Sequence, residues 1–174
     1  MTGIHISGTT QPMQDALRVI GALKQNARGV LGALGLEIIE STKERMRAGL
    51  DPAGKRWASY APLHPEYAKT KRGPSILIGR GNVSSGLIGS LTSQIHRHRL
   101  VWGSNKIYAR IHQLGGTIRP KSAKALTFKM GGKLYKMKKV TIPARPYLGF
   151  TDADKEVLMD ELHDYLSRAM RGGQ

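Results

Sequence analysis

Histidine and serine are the residues of this chain whose types and spacing invite a catalytic or metal reading. His96 and His98 stand two apart in an alternating run, so a strand would present both imidazoles on one face. That is half of a metal site. No Asp, Glu or Cys nearby completes it, and Arg97 and Arg99 oppose a cation. The pair reads as exposed strand histidines. His112, in IHQLGG, has no carboxylate near it in sequence to orient it as a base, so a structural hydrogen-bonding role is expected. The serines of NVSSGLIGS fit no nucleophile elbow, no GxxxxGK[ST] phosphate loop occurs, and the lone GRG at Gly79–Gly81 is too weak a signal. Cysteine is absent, which excludes disulfides, thiolate zinc sites and a cysteine nucleophile, and agrees with a reducing compartment. No enzyme activity, metal or cofactor is expected.

Charge is the stronger chemical signal. The formal net charge is +16 over 174 residues. From Tyr67 to Phe150 there is no Asp or Glu, whereas six of the twelve acids crowd between Asp152 and Asp164. Such a basic block needs a negative partner: nucleic acid, counter-ions, or the acidic helix of its own or a neighbouring chain. Lys121, Lys124, Lys129, Lys133, Lys136, Lys138 and Lys139 form its densest part. Gly131-Gly132 between two alternating runs predicts a hairpin with a two-residue turn. Met130 then faces Lys133, Phe128 faces Tyr135, Leu126 faces Met137 and Lys124 faces Lys139, a largely apolar side with an aromatic pair at its centre. Lys129 opposite Leu134, Thr127 opposite Lys136 and Ala125 opposite Lys138 make the basic side. An isolated hairpin is marginal in water, so the apolar side must pack on its own domain or on a neighbouring subunit.

The elements that must position these residues belong to a modest core. Apolar residues make up 40% and aromatics 6%, so aliphatic side chains must fill it. Mean hydropathy is −0.34. The length fits a single domain over 1–174, with 51–81 as a long, Pro- and Gly-punctuated loop and 121–141 as a hairpin arm. The N-terminus shows no signal peptide, and the longest uncharged apolar stretch, Gly29 to Leu36, falls far short of the about 20 residues that span a bilayer. A soluble intracellular protein without a membrane partner is expected.

The alternation of Ile4 to Ser7 predicts a short strand, followed by a helix capped by Thr9 and Thr10 and starting near Gln11. That helix is one long rod or two joined near Asn26, ending at Gly49. Gly29, Gly32 and Gly35 weaken it but suit close approach by another helix. A helical turn is expected over Ser84–Leu91, one or two strands over Ser93–Gly103, and a short helix over Lys106–Leu114 stopped by Gly115-Gly116. A capping box of Thr151 and Asp154 opens the last helix, whose apolar face is Val157, Leu158, Leu162, Tyr165, Leu166 and Met170. The fold class is α+β: a long N-terminal helical region, a small antiparallel sheet with an extended basic β-hairpin, and a C-terminal helix.

Four ordered motifs carry a resemblance: DPAGKRW (Asp51 to Trp57) with LHPEYAKTK after it, ILIGRGNVSSGLIGSL, VWGSNKIYARIHQLGG, and IPARPYLGFTDAD leading into the last helix. Together, over roughly residues 35 to 170, the chain resembles the phage virion morphogenesis or tail completion family of Mu-like and related tailed phages. The residues that carry it have plain structural uses. Asp51, Pro52 and Gly54 are turn chemistry and Trp57 can anchor the loop on the core. Tyr108, His112 and Gln113 can share a helical side and fix the turn at Gly115. Pro143, Arg145 and Pro146 hold an extended segment before Leu148 docks. The resemblance implies a non-enzymatic assembly subunit of the neck or tail end, made in the host cytoplasm and carried in the virion. It also implies a ring-shaped homo-oligomer that contacts other neck and tail proteins. The basic insert between Gly116 and Ile142 is the departure. A nucleic-acid-binding module is the rival reading, since lysines neutralising phosphates bind by counter-ion release, although no helix-turn-helix, zinc finger or RNA-recognition signature is present. Membrane-surface attachment through the hairpin ranks last, because one Phe and one Tyr give little insertion area.

Overall fold

A computed structural model describes residues 11–71, 75–78, 86–97 and 99–171. The expected Ile4–Ser7 strand, the Thr9/Thr10 cap, Gly79–Gly81, Ser84 and His98 lie outside the described residues. The fold is mixed α+β, with a long helix near one end of the chain and a second helix near the other.

Helix α1 runs unbroken from Gln11–Ala48. Val30, Ile38, Thr42 and Met46 form its buried stripe, four and eight residues apart, with Ile39 beside them. Thr42 enters that stripe because its hydroxyl donates to the Ile38 carbonyl one turn back, at 2.7 Å. The helix closes at Gly49 in a Schellman motif: Leu50 N donates to Arg45 O at 2.9 Å and Gly49 N to Met46 O at 3.1 Å. The close approach expected at its glycines occurs at Gly35. There the neighbour is a β-hairpin rather than a helix: a Cβ would come within 2.8 Å of Ser93 Oγ, whereas Gly32 faces open space.

The 51–81 stretch contains two short helices, α2 (Trp57–Tyr60) and α3 (Pro65–Thr70). A 3₁₀ turn at Ile88–Ser90 leads into strand β1 (Leu91–His96), which pairs antiparallel with β2 (Arg99–Ser104). Helix α4 (Ala109–Leu114) follows. Strands β3 (Gly116–Ile118) and β6 (Val140–Ile142) then pair antiparallel, and between them β4 (Leu126–Met130) pairs with β5 (Lys133–Met137). Among the described residues the six strands make three separate two-stranded ladders. Helix α5 (Asp152–Arg171) ends the described chain and packs along α1, with Leu158, Leu162, Tyr165 and Leu166 half-buried and Val157 exposed.

The core lies where the C-terminal half of α1, α2, the 3₁₀ turn and α4 meet the segment before α5. Ile39, Met46, Trp57, Ile76, Leu87, Ile88, Leu91, Ala109 and Tyr147 form it. No residue of the β4–β5 hairpin belongs to it.

Candidate functional site

Two groups of residues singled out by sequence come to different places. The first builds a clasp around the extended segment Arg145–Gly149, which crosses in front of α5. Each of its five residues is fastened. Arg145 N donates to His112 O at 2.7 Å, and its guanidinium donates to the carbonyls of Ala61 and Pro62, both at 2.7 Å. Pro146 O accepts from Trp57 Nε1 at 3.0 Å. Gln113 Oε1 accepts from both Tyr147 N and Leu148 N, at 2.9 and 3.0 Å, and Gln113 Nε2 donates to Leu148 O at 2.9 Å. A single amide side chain thus serves three backbone groups of two residues that have no strand partner. Gly149 O accepts from Arg45 at 3.0 Å, and Gly149 lies so close to Pro52 that a Cβ would meet the ring at 2.5 Å.

The loop on the other side of the clasp is held by Asp51, which is 9% exposed. Its Oδ1 accepts from Ala53 N at 2.9 Å and Lys55 N at 2.8 Å, and its Oδ2 accepts from the Tyr60 hydroxyl at 2.9 Å. Burial, then the bond to Asp51 and that carboxylate's charge, push the Tyr60 phenol up to about 12. Gly54 turns the loop and donates its N–H to Asp51 O at 2.9 Å. Gly115 ends α4 at φ +70°, with the Ala144 backbone nitrogen 2.8 Å from where a Cβ would stand. Only glycine satisfies both demands.

The expected joint role of Tyr108, His112 and Gln113 at the Gly115 turn is corrected. Gln113 reaches across to Tyr147 and Leu148, while Tyr108 is 38% exposed and meets the His112 ring edge-on at 5.9 Å. Pro143 is exposed and only carries the chain from β6 toward Arg145. Leu148 packs against the core as expected. His112 Nδ1 is buried without a hydrogen-bond partner among the described residues. Burial first, then the Arg145 charge, hold its ring below the ordinary histidine range, so it is neutral and unsuited to hold a proton at pH 7. No cluster of three metal-ligating side chains occurs among the described residues.

Sequence reasoning missed Arg45 and the second use of Asp154. Thr151 and Asp154 do form the expected capping box, with Thr151 N to Asp154 Oδ2 at 2.8 Å and Asp154 N to Thr151 Oγ1 at 3.0 Å. The same carboxylate, 4% exposed, accepts from Ser41 Oγ and pairs with Arg45 at 2.9 Å. This locks α5 onto α1. The charges of Arg45 and Asp154 were visible, but nothing local connects positions 109 residues apart.

The second group is the lysines, remote from the clasp in their role. Lys121, Lys124, Lys129, Lys133, Lys136, Lys138 and Lys139 are all exposed, and none forms an ion pair among the described residues. The hairpin register is the expected one from Leu126↔Met137 to Met130↔Lys133. Gly131 and Gly132 both take positive φ, +59° and +79°, as a twist-matched two-residue turn requires. The expected pairs Lys124 with Lys139 and Ala125 with Lys138 do not form. The ladder stops before them because residues 119–125 on one side have only 138–139 opposite them before β3 and β6 pair. Phe128 and Tyr135 stack at 5.8 Å with rings 12° apart, and α3 approaches the turn through Glu66, close to Gly131. The other side, Thr127, Lys129, Leu134 and Lys136, is exposed throughout. His96, at the end of β1, is exposed as well.

A family model described as the phage virion morphogenesis family matches residues 9–167. "Putative capsid assembly protein G" of Escherichia phage Mu is 25% identical over 173 residues, 97% of each chain. "Mu-like prophage FluMu G protein 2" of Haemophilus influenzae is 33% identical over 79 residues, a match that spans 45% of this chain and 46% of that protein. No solved structure matches.

Proposed function

The chain belongs to the phage virion morphogenesis family, and from that premise we propose that it is a non-enzymatic structural subunit of the neck or tail end. It joins or finishes the tail during assembly in the host cytoplasm, as a ring of identical copies, and stays in the virion beside other neck and tail proteins. One observation carries this reading. Asp51, Trp57, Gln113 and Arg145 of the family-like motifs are engaged in fastening the fold, while the lysine-rich hairpin between two of those motifs stays outside the core with one face uncovered. Side chains spent on backbone bonds have a structural use, and a two-faced ribbon with one side uncovered is a means of contact. The name of the Mu relative, capsid assembly, is compatible with a subunit that works where head and tail meet.

Deletion of the gene is expected to leave heads and tails unjoined or unfinished in electron micrographs, and the purified protein is expected to have a native mass several times 19.1 kDa. Complete, infectious particles from the deletion would refute the reading. A nucleic-acid role is favoured by the seven exposed lysines, which form no ion pair among the described residues, and by the acid-free stretch around them. It predicts DNA binding that weakens steeply with salt and is lost in Lys129→Glu, Lys136→Glu, Lys138→Glu. Among the described residues no helix is long and apolar enough to cross a membrane.

A further inference from the structure

The exposed face of the β4–β5 hairpin and the cleft between α1 and α5 carry opposite charges and similar apolar centres. On the hairpin, Leu134 is 65% exposed and stands directly opposite Lys129, with Lys136 two residues further along its own strand. A leucine so exposed beside two lysines that form no ion pair among the described residues gains little for the monomer: full burial is worth about 2 kcal/mol. Cross-strand and diagonal neighbours on one sheet face are spaced about 5–8 Å, so the three side chains form one compact patch.

The α1–α5 cleft has a volume of about 270 Å³. Its walls carry Glu37, Glu40 and Glu44 from α1, and its apolar part is Ile38, Val157 and Leu158. Val157 is 48% exposed, although it sits on the apolar side of α5. Glu40 is held by Lys43 and Arg47 at 3.4 and 2.8 Å, whereas Glu37 and Glu44 form no ion pair among the described residues. Seven residues of helix separate these two free carboxylates by about 10 Å along the axis, a span that two diagonal lysines on a ribbon can bridge. Each surface thus has an exposed aliphatic centre flanked by free charges, basic on one and acidic on the other.

We propose that the hairpin of one copy of this chain docks its Lys129–Leu134–Lys136 face into the α1–α5 cleft of a second copy, with Leu134 on Val157 and the lysines against Glu37 and Glu44. The occupant is a second copy because the two surfaces of one chain complement each other while the hairpin's own neighbour is α3. The contact is heterologous, arm into cleft, so each subunit donates one surface and accepts with the other, the arrangement that closes into rings. The site explains the sign pattern of the sequence, with its acid-free centre and acidic flanks. It rests on the homo-oligomer proposed above.

Two double variants test it. Lys129→Glu with Lys136→Glu reverses the arm, and Glu37→Lys with Glu44→Lys reverses the cleft. All four positions are exposed, so circular dichroism and melting behaviour should stay close to those of the unaltered chain. Each variant alone is expected to fall to the mass of one chain in sedimentation or native mass spectrometry. An equimolar mixture of the two is expected to regain the oligomer, because every arm again meets a cleft of opposite sign; a misfolded variant could not be rescued in this way. Persistence of the wild-type mass in either variant would overturn the docking mode and leave the structural-subunit reading intact. So would loss of DNA binding by the arm variant with the oligomer unchanged. A wild-type chain that is monomeric at every concentration would overturn both.

Discussion

Arg145 lies in the acid-free stretch and by sequence is one more cation in want of an anion. Among the described residues it meets none. It is 6% exposed and its guanidinium bonds the carbonyls of Ala61 and Pro62, whose loop has no strand to satisfy them. Burial pulls this group below its ordinary range, yet arginine remains charged, and a charged donor makes stronger bonds to carbonyls than a neutral one. Arg145→Met should cost about 3 kcal/mol, because it orphans the buried Ala61 carbonyl and loses the bond to the partly exposed Pro62 carbonyl as well. Arg145→Lys should recover only part of that, since one ammonium cannot match the planar fork. Urea unfolding at unchanged m-value is the measurement, and a midpoint equal to wild type would show that water serves those carbonyls equally well. The motif IPARPYLG was conspicuous in the sequence, but the use of Arg145 was not. A helix or strand period says which way a side chain points, whereas this one reaches a loop 84 residues away.

The start of α5 shows the same division at the scale of an element. Its capping box was legible, because a cap is a contact between residues three apart. Its second function, holding α5 on α1 through Arg45 and Ser41, was not. Burial pushes the Asp154 carboxyl up, but the bonds from Ser41 and Thr151 and the Arg45 charge outweigh it, leaving the group below its ordinary value of 3.8. A carboxylate depressed in the folded state binds fewer protons there than in the unfolded chain, so it adds stability above the unfolded value. That stability is lost as pH falls through the lower folded value. Wild type should therefore exceed Asp154→Asn in stability at pH 5 to 7, with the gap shrinking below about pH 4. Denaturation of both proteins across that range measures it. A gap independent of pH would place the contribution of Asp154 in packing rather than charge.

For the whole molecule, the separation of arm from core makes a direct prediction. None of the core residues comes from β4 or β5, and β3 with β6 closes the base of the insert. Replacing residues 121–139 by a short Gly-Ser link should leave a cooperatively unfolding chain with a melting temperature within a few degrees of wild type, while self-association is lost. Calorimetry and sedimentation on the same sample check both halves; a molten chain would mean that the arm is part of the folding unit. By itself the sequence determined a helical region ending at Gly49, the capped C-terminal helix and the hairpin register from Leu126 to Met137. Each of these follows from a period of 3.6 or 2 and from turn or cap residues a few positions apart. It also determined the charge pattern. Only the tertiary structure decided that the first region is one unbroken helix rather than two joined near Asn26. It alone decided that the described strands form three separate ladders, that Gly35 admits a β-hairpin, that Gln113 and Arg145 clasp the segment before α5, and that Arg45 finds Asp154. Those outcomes depend on which faces meet after the chain has turned through loops whose paths carry no period.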